Sequence, residues 1–558
     1  MPPSARTVLE GFPPVQAQLL YSRGLPSPAQ ARAFLSFDPV SHDPFALPDM
    51  EAAVGRMRQA LQKREGIGVF GDFDVDGLSA TALLATALRP LGCLIVPYIP
   101  HRVDEGHGLS MQAVERLAAQ DVRLLITVDC GISSHKEIAY AAGMGIDTIV
   151  TDHHLPPQQT PLALAVVDPR LHGSSYPFAE LTGAGLALKL AQGLYSAMSF
   201  PTAHLLPPLF PLAALGTIAD VAPLVDENRS IVRQGLAHMS RTPSVGLNAL
   251  VRSARLEGRA LDTESVGWQL APRLNASGRI DSADLSYRLL VTQSSQEAAA
   301  LAQSLEQQNR QRQEMTEEAY RKAKSILEPG PLLMVGDPSF SPGIIGLVAG
   351  RLAEEFARPS VVISQGVETS RGSCRSVPWF DIGRALYQIE EAVGGFVRHG
   401  GHAQAAGFTV ETQRLPVLRQ ALTRLAAERL RQTSNGNQDE ALPAPWLDVD
   451  METPLGTLPR DVYRQVQSLA PFGPGNPEPV FLSRAVQVLE ARPMGAGGKH
   501  LRLKLKDGGI AWNAVAFGQG DRLPAGATRL DIAYAVEMDH WGGQERLQLR
   551  VLDFRVVG

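Results

Sequence analysis

Cysteine is almost missing from this chain. Cys93, Cys130 and Cys374 are the three in 558 residues, far apart and in no CxxC pattern. That spacing argues against a disulfide framework and against a zinc ribbon. Excess positive charge is missing too. With 52 Lys and Arg against 57 Asp and Glu the net charge is −5, so composition does not announce a nucleic-acid binder. A local basic groove stays open, because steering depends on where charge sits as well as on its total. No apolar stretch approaches the ~20 residues of a spanning helix. The N-terminus, MPPSARTVLEGF, lacks the apolar core of a signal peptide, so a cytoplasmic protein without membrane contact is expected. Internal repeats are not seen.

What is present is an ordinary globular composition, 44% hydrophobic and 20% charged. The length suggests three or four domains on a prior of ~150 residues each. Residues 1–48 are proline-rich, with one helix expected at Ser27–Leu35. From Met50 a regular alternation begins. The strand-like runs IGVF, CLIVPYIP, RLLITVDC, DTIVTDHH and ALAVVDP are separated by helix-like LSATALLATALRP, SMQAVERLAAQ and SSHKEIAYAAGMG. Strands apolar throughout, alternating with helices, predict an α/β domain with a doubly wound parallel sheet. A mostly helical stretch follows, Thr182 to Leu290. The polar helix pattern Ser295–Leu327 suits a surface helix or a bridge between domains. GPLLMVGDP opens a second α/β pattern, and SNGNQDEALPAP (Ser434–Pro445) reads as a linker. Five strand-like runs after Val480 suit a small β-barrel of the OB type. The expected divisions are 1–48, 49–290, 291–328, 329–433, 434–446 and 447–558.

In open α/β sheets, ligands bind beyond the carboxyl ends of the strands. Asp72, Asp74 and Asp76 follow one such run, Asp129 another, and Asp152, His153 and His154 a third. Asp220 ends the apolar run LAALGTIAD. For any one of these aspartates a helix N-cap is the simpler reading. Four coincident strand ends make a shared site the better one. Clustered carboxylates raise one another's pKa unless a cation sits among them. Oxygen ligands favour Mg²⁺ or Mn²⁺, and imidazole in the set leans toward Mn²⁺. Asp74, Asp76, Asp129 and Asp220 would balance two divalent cations, and a pair of metals ~3.5–4 Å apart suits in-line phosphoryl chemistry.

GDFDVDG, VDCG, TDHH and IADV look like successive motifs of the DHH phosphoesterase superfamily. Within it the chain resembles the RecJ family, single-strand-specific 5′→3′ DNA exonucleases of bacteria. The resemblance covers nearly the whole chain. It includes PHRVDEGHGL (Pro100–Leu109), LTGAGLALKL (Leu181–Leu190), LAPRLNASGRI (Leu270–Ile280), NRQRQ (Asn309–Gln313), SPGIIGLVAGRL (Ser341–Leu352), GSCRS (Gly372–Ser376), GGHAQAAGF (Gly400–Phe408) and LAPFGPGNPEPVF (Leu469–Phe481). It implies a DHH domain (49–290), a connecting helix, a smaller α/β DHHA1 domain (329–433) and a C-terminal OB-fold (447–558). It implies hydrolysis of single-stranded DNA to mononucleotides in repair and recombination, with two divalent cations, Mn²⁺ preferred or Mg²⁺. Asp74 would bind the first metal and Asp76 the second, with Asp129 bridging. His153 and Asp220 would join Asp76. His154 would steady charge at the scissile phosphate or donate a proton, and Asp152 would orient the histidines. Asp72 would be a ligand, direct or through water, or a supporting or capping group. Single-strand-binding protein and a helicase are the implied protein partners of a monomer, and a further domain found after the barrel in some relatives is expected to be missing.

On the substrate side the resemblance points to Arg102, Arg273, Asn275, Arg279, Ser373 and Arg375, with Gly400, Gly401 and His402 in a glycine-rich loop. Arg273 or Arg279, with Ser373 and Arg375, would read a terminal 5′-phosphate. Read from the residues alone, that loop is better explained by a tight turn, and each arginine has a surface ion pair as its simpler reading. Two places depart from the family. PSFSPG (residues 338–343) has no Trp-His pair, and Ala403 follows His402 where Pro or Gly is common. In the barrel, KHLRLKLK (Lys499–Lys506) alternates basic and apolar residues. Trp512, Phe517, Tyr534 and Trp541 are stacking platforms for bases or members of the core. Two alternatives remain at this level: a phosphodiesterase of short oligoribonucleotides or cyclic dinucleotides, and a scaffold that binds single strands without cutting.

Overall fold

The computed structural model describes residues 9–36, 38–102, 104–241, 244–433, 446–524, 526–539 and 546–557. The expected linker at 434–445 and Trp541 lie outside them. Two compact units are present. One comprises Pro44–Asp220 and His238–Pro445, the other Met1–Asp43, Val221–Ala237 and Trp446–Gly558.

The first unit holds two sheets. Strands β1 (Gly66–Gly71), β2 (Leu94–Tyr98), β3 (Val122–Val128), β4 (Asp147–Thr151) and β5 (Ala165–Val167) pair in the order β2-β1-β3-β4-β5, all parallel. All six residues of β1 are buried, as expected of a strand covered on both faces. The order reverses direction between β1 and β3. That reversal opens a crevice at the carboxyl edge, the usual ligand position in a doubly wound sheet. Asp72 and Asp129 directly follow these two strands.

Two expectations are corrected in the helical stretch. Asp220 does not end a strand; it caps the C-terminus of the helix Phe210–Ala219. An apolar run buried on all sides carries no period to distinguish strand from helix. Residues Thr202–Ala219 also make an 18-residue window of mean hydropathy 1.3, against the expectation that no such stretch exists. Prolines 207, 208 and 211 divide it into Thr202–Leu205, Pro207–Leu209 and Phe210–Ala219. The last piece packs on the helices Val75–Leu88 and Gly183–Ala197.

The second sheet runs β6-β7-β8-β10-β9, with β6 (Leu333–Asp337), β7 (Ser360–Ser364), β8 (Thr369–Arg375), β9 (Arg398–His402) and β10 (Ala405–Glu411). Only β6 and β7 are parallel. The 31-residue helix Ser295–Ser325 is ~46 Å long at 1.5 Å per residue. Leu301, Ala302 and Leu305 are buried on its first half, and Ala319, Tyr320 and Ala323 on its second. It packs against the helices Ala271–Ile280 and Ile345–Phe356, one from each half of the unit.

In the other unit, β12 (Phe481–Met494), β13 (His500–Asp507), β14 (Ile510–Ala516), β15 (Arg529–Asp539) and β16 (Arg546–Val556) form a barrel in the order β12-β13-β14-β16-β15, closed by β15 on β12. The short β11 (Met451–Glu452) pairs with the start of β12. Along β13, Leu501, Leu503 and Leu505 enter the core while Arg502, Lys504 and Lys506 face outward. Tyr534 is wholly buried, stacked on Phe481, with its hydroxyl on Ser483, so it is a core residue and no platform for bases. Trp512 is half-buried against that core, and Phe517 is exposed. A helix not foreseen in the sequence, Pro14–Ser22, adds Val15 and Leu19 to the barrel core.

Candidate metal centre

The stretch GDFDVDG leaves β1 through one turn and enters the helix Val75–Leu88. Asp74 is the N-cap of that helix, and its Oδ1 accepts from the N–H groups of Asp76 (3.0 Å) and Gly77 (3.1 Å). Asp72 accepts from Phe73 N–H and faces His107 Nδ1 at 2.9 Å. Asp76 lies within the first turn, and its carboxylate accepts from Gly183 N–H (2.6 Å) and Ala184 N–H (2.9 Å) at the start of another helix. Such helix starts favour negative charge. Asp129, just beyond β3, sits at φ +61°. Holding a non-glycine residue there costs about 1–3 kcal/mol.

The helices around these carboxylates come very close. A Cβ on Gly183 would lie 2.5 Å from Asp129 Cβ, and one on Gly216 would lie 2.3 Å from Asp76 Oδ1. Glycine is required at both positions for that approach.

The TDHH segment completes the set. His153 Nε2 lies 3.0 Å from Asp129, 3.9 Å from Asp76 and 3.9 Å from Asp220. Asp152 is buried and turned the other way. It accepts from the N–H groups of Ile132, His153 and His154 and pairs with His154 Nδ1 at 2.7 Å. It thereby fixes the His154 ring and the backbone of both histidines. Three groups of donor atoms result, each spanning less than 4.8 Å: Asp72–Asp74–Asp129, Asp76–His153–Asp220 and Asp129–His153–His154.

The electrostatics of this set are poor without a cation. Burial, then the Asp74 charge, pushes the Asp76 carboxyl up to about 7. Burial, then Asp76, does the same for Asp220, to about 7. Asp74 and Asp129 are raised as well, by burial first and by neighbouring carboxylates second. Burial holds His153 down to about 4, a neutral imidazole with a lone pair to give. The Asp152 hydrogen bond lifts His154 to about 9. Carboxylates and a neutral imidazole crowded together in a buried crevice are a donor set that suits Mn²⁺ or Mg²⁺.

Arginines border the centre. Arg279 lies on the helix Ala271–Ile280, which reaches the turn after β1 at Gly278, and its Nη1 donates to Gly343 O at 3.1 Å. Burial, then the guanidiniums of Arg102, Arg312 and Arg375, pulls Arg279 down to about 9. Arg102 covers the Phe73 ring at 4.7 Å. Arg375 ends β8 beside Ser373, 3.4 Å from its hydroxyl. This arginine is thus in a strand, where the Gly/Ser composition of GSCRS suggests a loop. Arg273 stands apart, paired to Glu306 at 2.8 Å and to Gln269 O. Asn275 is half-buried on the same helix. The glycine-rich loop is corrected to a hairpin. Gly400 and Gly401 are in β9, paired with Gly407 and Ala406 of β10, at the edge of the sheet. His402, at the end of β9, stacks 6.5 Å from the His154 ring. Sequence reasoning gave no role to Arg312, His107 or the Gly183–Ala184 amides. The clue for the amides is Thr182, an N-cap residue opening a helix at Gly183.

Comparisons with known proteins agree along the chain. Family models match for the DHH family, N-terminal domain, over residues 66–217, for the DHHA1 domain over 330–428, and for the RecJ OB domain over 449–553. The single-stranded-DNA-specific exonuclease RecJ of Bacillus subtilis is 34% identical over 553 residues, 97% of this chain and 68% of that protein. Its Thermus thermophilus counterpart is 36% identical over 517 residues, 91% of this chain and 71% of that protein. The solved structure of Thermus thermophilus RecJ in complex with Mn²⁺ aligns with a TM-score of 0.81 at 31% identity, covering 100% of this chain and 79% of that one. The Mg²⁺ complex gives 0.77 at 30%, covering 100% and 78%.

Proposed function

The chain belongs to the RecJ family, and from that membership we infer a metal-dependent exonuclease that degrades single-stranded DNA from its 5′ end to mononucleotides. The observation that carries the reading is the pair of donor groups, Asp72–Asp74–Asp129 and Asp76–His153–Asp220, meeting at the sheet's switch point. Each group would hold one divalent cation, with Asp129 shared. Bound there, the cations supply Lewis acidity to the phosphate and bring a water's pKa toward neutrality.

The chain's own residues do the rest. Asp74, as a helix cap, and Asp76, held by two backbone amides, are fixed before any ligand arrives. Asp152 keeps His154 protonated at neutral pH and aims it, so the proton can pass to the departing 3′ oxygen. Arg102, Arg279 and Arg375, with Ser373, form a basic group suited to a terminal phosphate, whose second negative charge a mid-chain diester lacks. That contact would set the 5′→3′ direction. Arg273, engaged by Glu306, and Asn275 would line the same side, and His402 would approach the phosphate from β9. The outward face of β13, Arg502, Lys504 and Lys506, with exposed Phe517, would hold the strand further along.

The working division is a DHH domain at 49–290, a DHHA1 domain at 329–433 and an OB-fold at 447–558. A role in DNA repair and recombination in the cytoplasm, as a monomer alongside single-strand-binding protein and a helicase, goes with this reading. Family membership decides against the oligoribonucleotide or cyclic-dinucleotide phosphodiesterase and the non-cutting scaffold. The test is digestion of a long single strand labelled at either end, with Mn²⁺, Mg²⁺ or EDTA. Mononucleotides should leave the 5′ end first and only with metal. Release from the 3′ end, or cutting in EDTA, refutes the reading.

A further inference from the structure

Asp72 is held from two sides, by its own turn and by a side chain from another segment. Its Oδ1 accepts one N–H, from Phe73, and its Oδ2 faces His107 Nδ1 at 2.9 Å. A carboxylate can only accept, so the ring's Nδ1 carries the proton. His107 comes from the segment between β2 and the helix Met111–Ala118, and its ring lies 4.3 Å from that of Phe73, the residue next to Asp72. The same Phe73 ring is covered by Arg102, from the same segment. The segment is also tied to the second sheet. Arg398, the first residue of β9, donates through Nη2 to His107 O at 3.3 Å, and a side chain on Gly106 would come within 3.0 Å of its Nη1. Four residues on, the same strand ends in His402, stacked on His154. Contacts therefore run from β9 through Arg398 and His107 to Asp72.

We propose that His107 is a positioning residue that fixes the Asp72 carboxylate for its cation, and that Arg398 makes this positioning depend on the placement of β9. Hydrogen bonds of this kind set the orientation of a ligating group, and their loss typically costs ~10–100-fold in metal affinity. Since binding couplings are reciprocal, single-stranded DNA that engages β9 tightens the same cation site. The inference rests on the metal reading above.

The test is an EPR titration of the metal-free full chain with Mn²⁺. Wild type binds two ions. His107→Phe, which keeps the packing on Phe73 but cannot donate, loses ~10–100-fold at one site and leaves the other within about threefold. His107→Asn, which restores a donor near the position of Nδ1, recovers most of that loss. In Arg398→Ala, added single-stranded DNA no longer tightens the site that it tightens in wild type. Unchanged Mn²⁺ binding in His107→Phe, equal loss at both sites, or an intact DNA effect in Arg398→Ala overturns the inference while leaving the metal reading standing. A wild type that binds no Mn²⁺ overturns both.

Discussion

The carboxylate centre and the arginine group beside it are mirror images in electrostatic terms. In the first, aspartates are buried together, and burial raises Asp76 and Asp220 to about 7, helped by Asp74 in the one case and Asp76 in the other. In the second, Arg279 is pulled down to about 9 by burial and by Arg102, Arg312 and Arg375. The two sets offset each other only in part: Arg102 acts on Asp74, and Asp74 on Arg102 and Arg279, yet burial leaves Asp74 raised and both arginines lowered. Ordinary ion pairs elsewhere in the chain, such as Arg56 with Glu65 and Asp147, set opposite charges side by side within the fold. Like charges buried together are costly, so the two groups mark where opposite charge is brought from outside: cations to one, phosphate to the other.

Breaking the acidic half should have the largest effect. Asp129→Ala removes the carboxylate common to two donor groups. Hydrolysis should fall by at least about a thousandfold, while affinity for single-stranded DNA, read by fluorescence anisotropy, stays within about twofold. Retention of turnover would remove Asp129 from the centre. Breaking the basic half should be milder and differently expressed. Arg279→Gln should raise KM for 5′-phosphorylated strands by ~10–100-fold and change 5′-hydroxyl strands far less. An equal change for both ends would separate Arg279 from the terminal phosphate.

The acidic half should also be visible in stability. Asp76 and Asp220 have folded-state pKa values raised to about 7, above the ordinary 3.8. The folded state holds protons that the unfolded state has lost, so this contribution is fully present below about 4 and is lost as pH rises through about 7. Metal-free protein in chelator should therefore melt lower at about pH 8 than at about pH 5, and Mn²⁺ should raise Tm more at the higher pH. The opposite ordering would mean the carboxylates are paired within the fold. The smallest effect belongs to the barrel. Replacing Arg502 and Lys504 with Gln should weaken long-strand binding severalfold and reduce the salt slope by about 1.4, at ~0.7 per charge.

The same contrast explains how much was legible in the sequence. The sheet and the acids after β1, β3 and β4 could be read because apolar runs ending in Asp are a local pattern, and the barrel because β13 alternates residue by residue. Asp220 was found as an acid but set on the wrong element, since Phe210–Ala219 is apolar on every side. Gly400–His402 looked like a loop because glycine signals freedom, yet here it permits tight pairing with β10. Tyr534 could not be assigned to core or surface until the barrel closed around it. Arg312 and His107 acquire their meaning from residues more than thirty positions away, Arg279 in one case and Asp72 and Arg398 in the other. No local pattern reports such neighbours.

Buried carboxylates are held together here for cations to neutralise. Calorimetric titration of the metal-free protein with Mn²⁺ at about pH 7, in two buffers of different ionisation enthalpy, measures that neutralisation. Because Asp76 and Asp220 titrate near that pH, binding should release protons, about one or more per chain, as two ions enter. Saturable binding with no proton release, or no binding at all, would mean that cations do not neutralise these carboxylates.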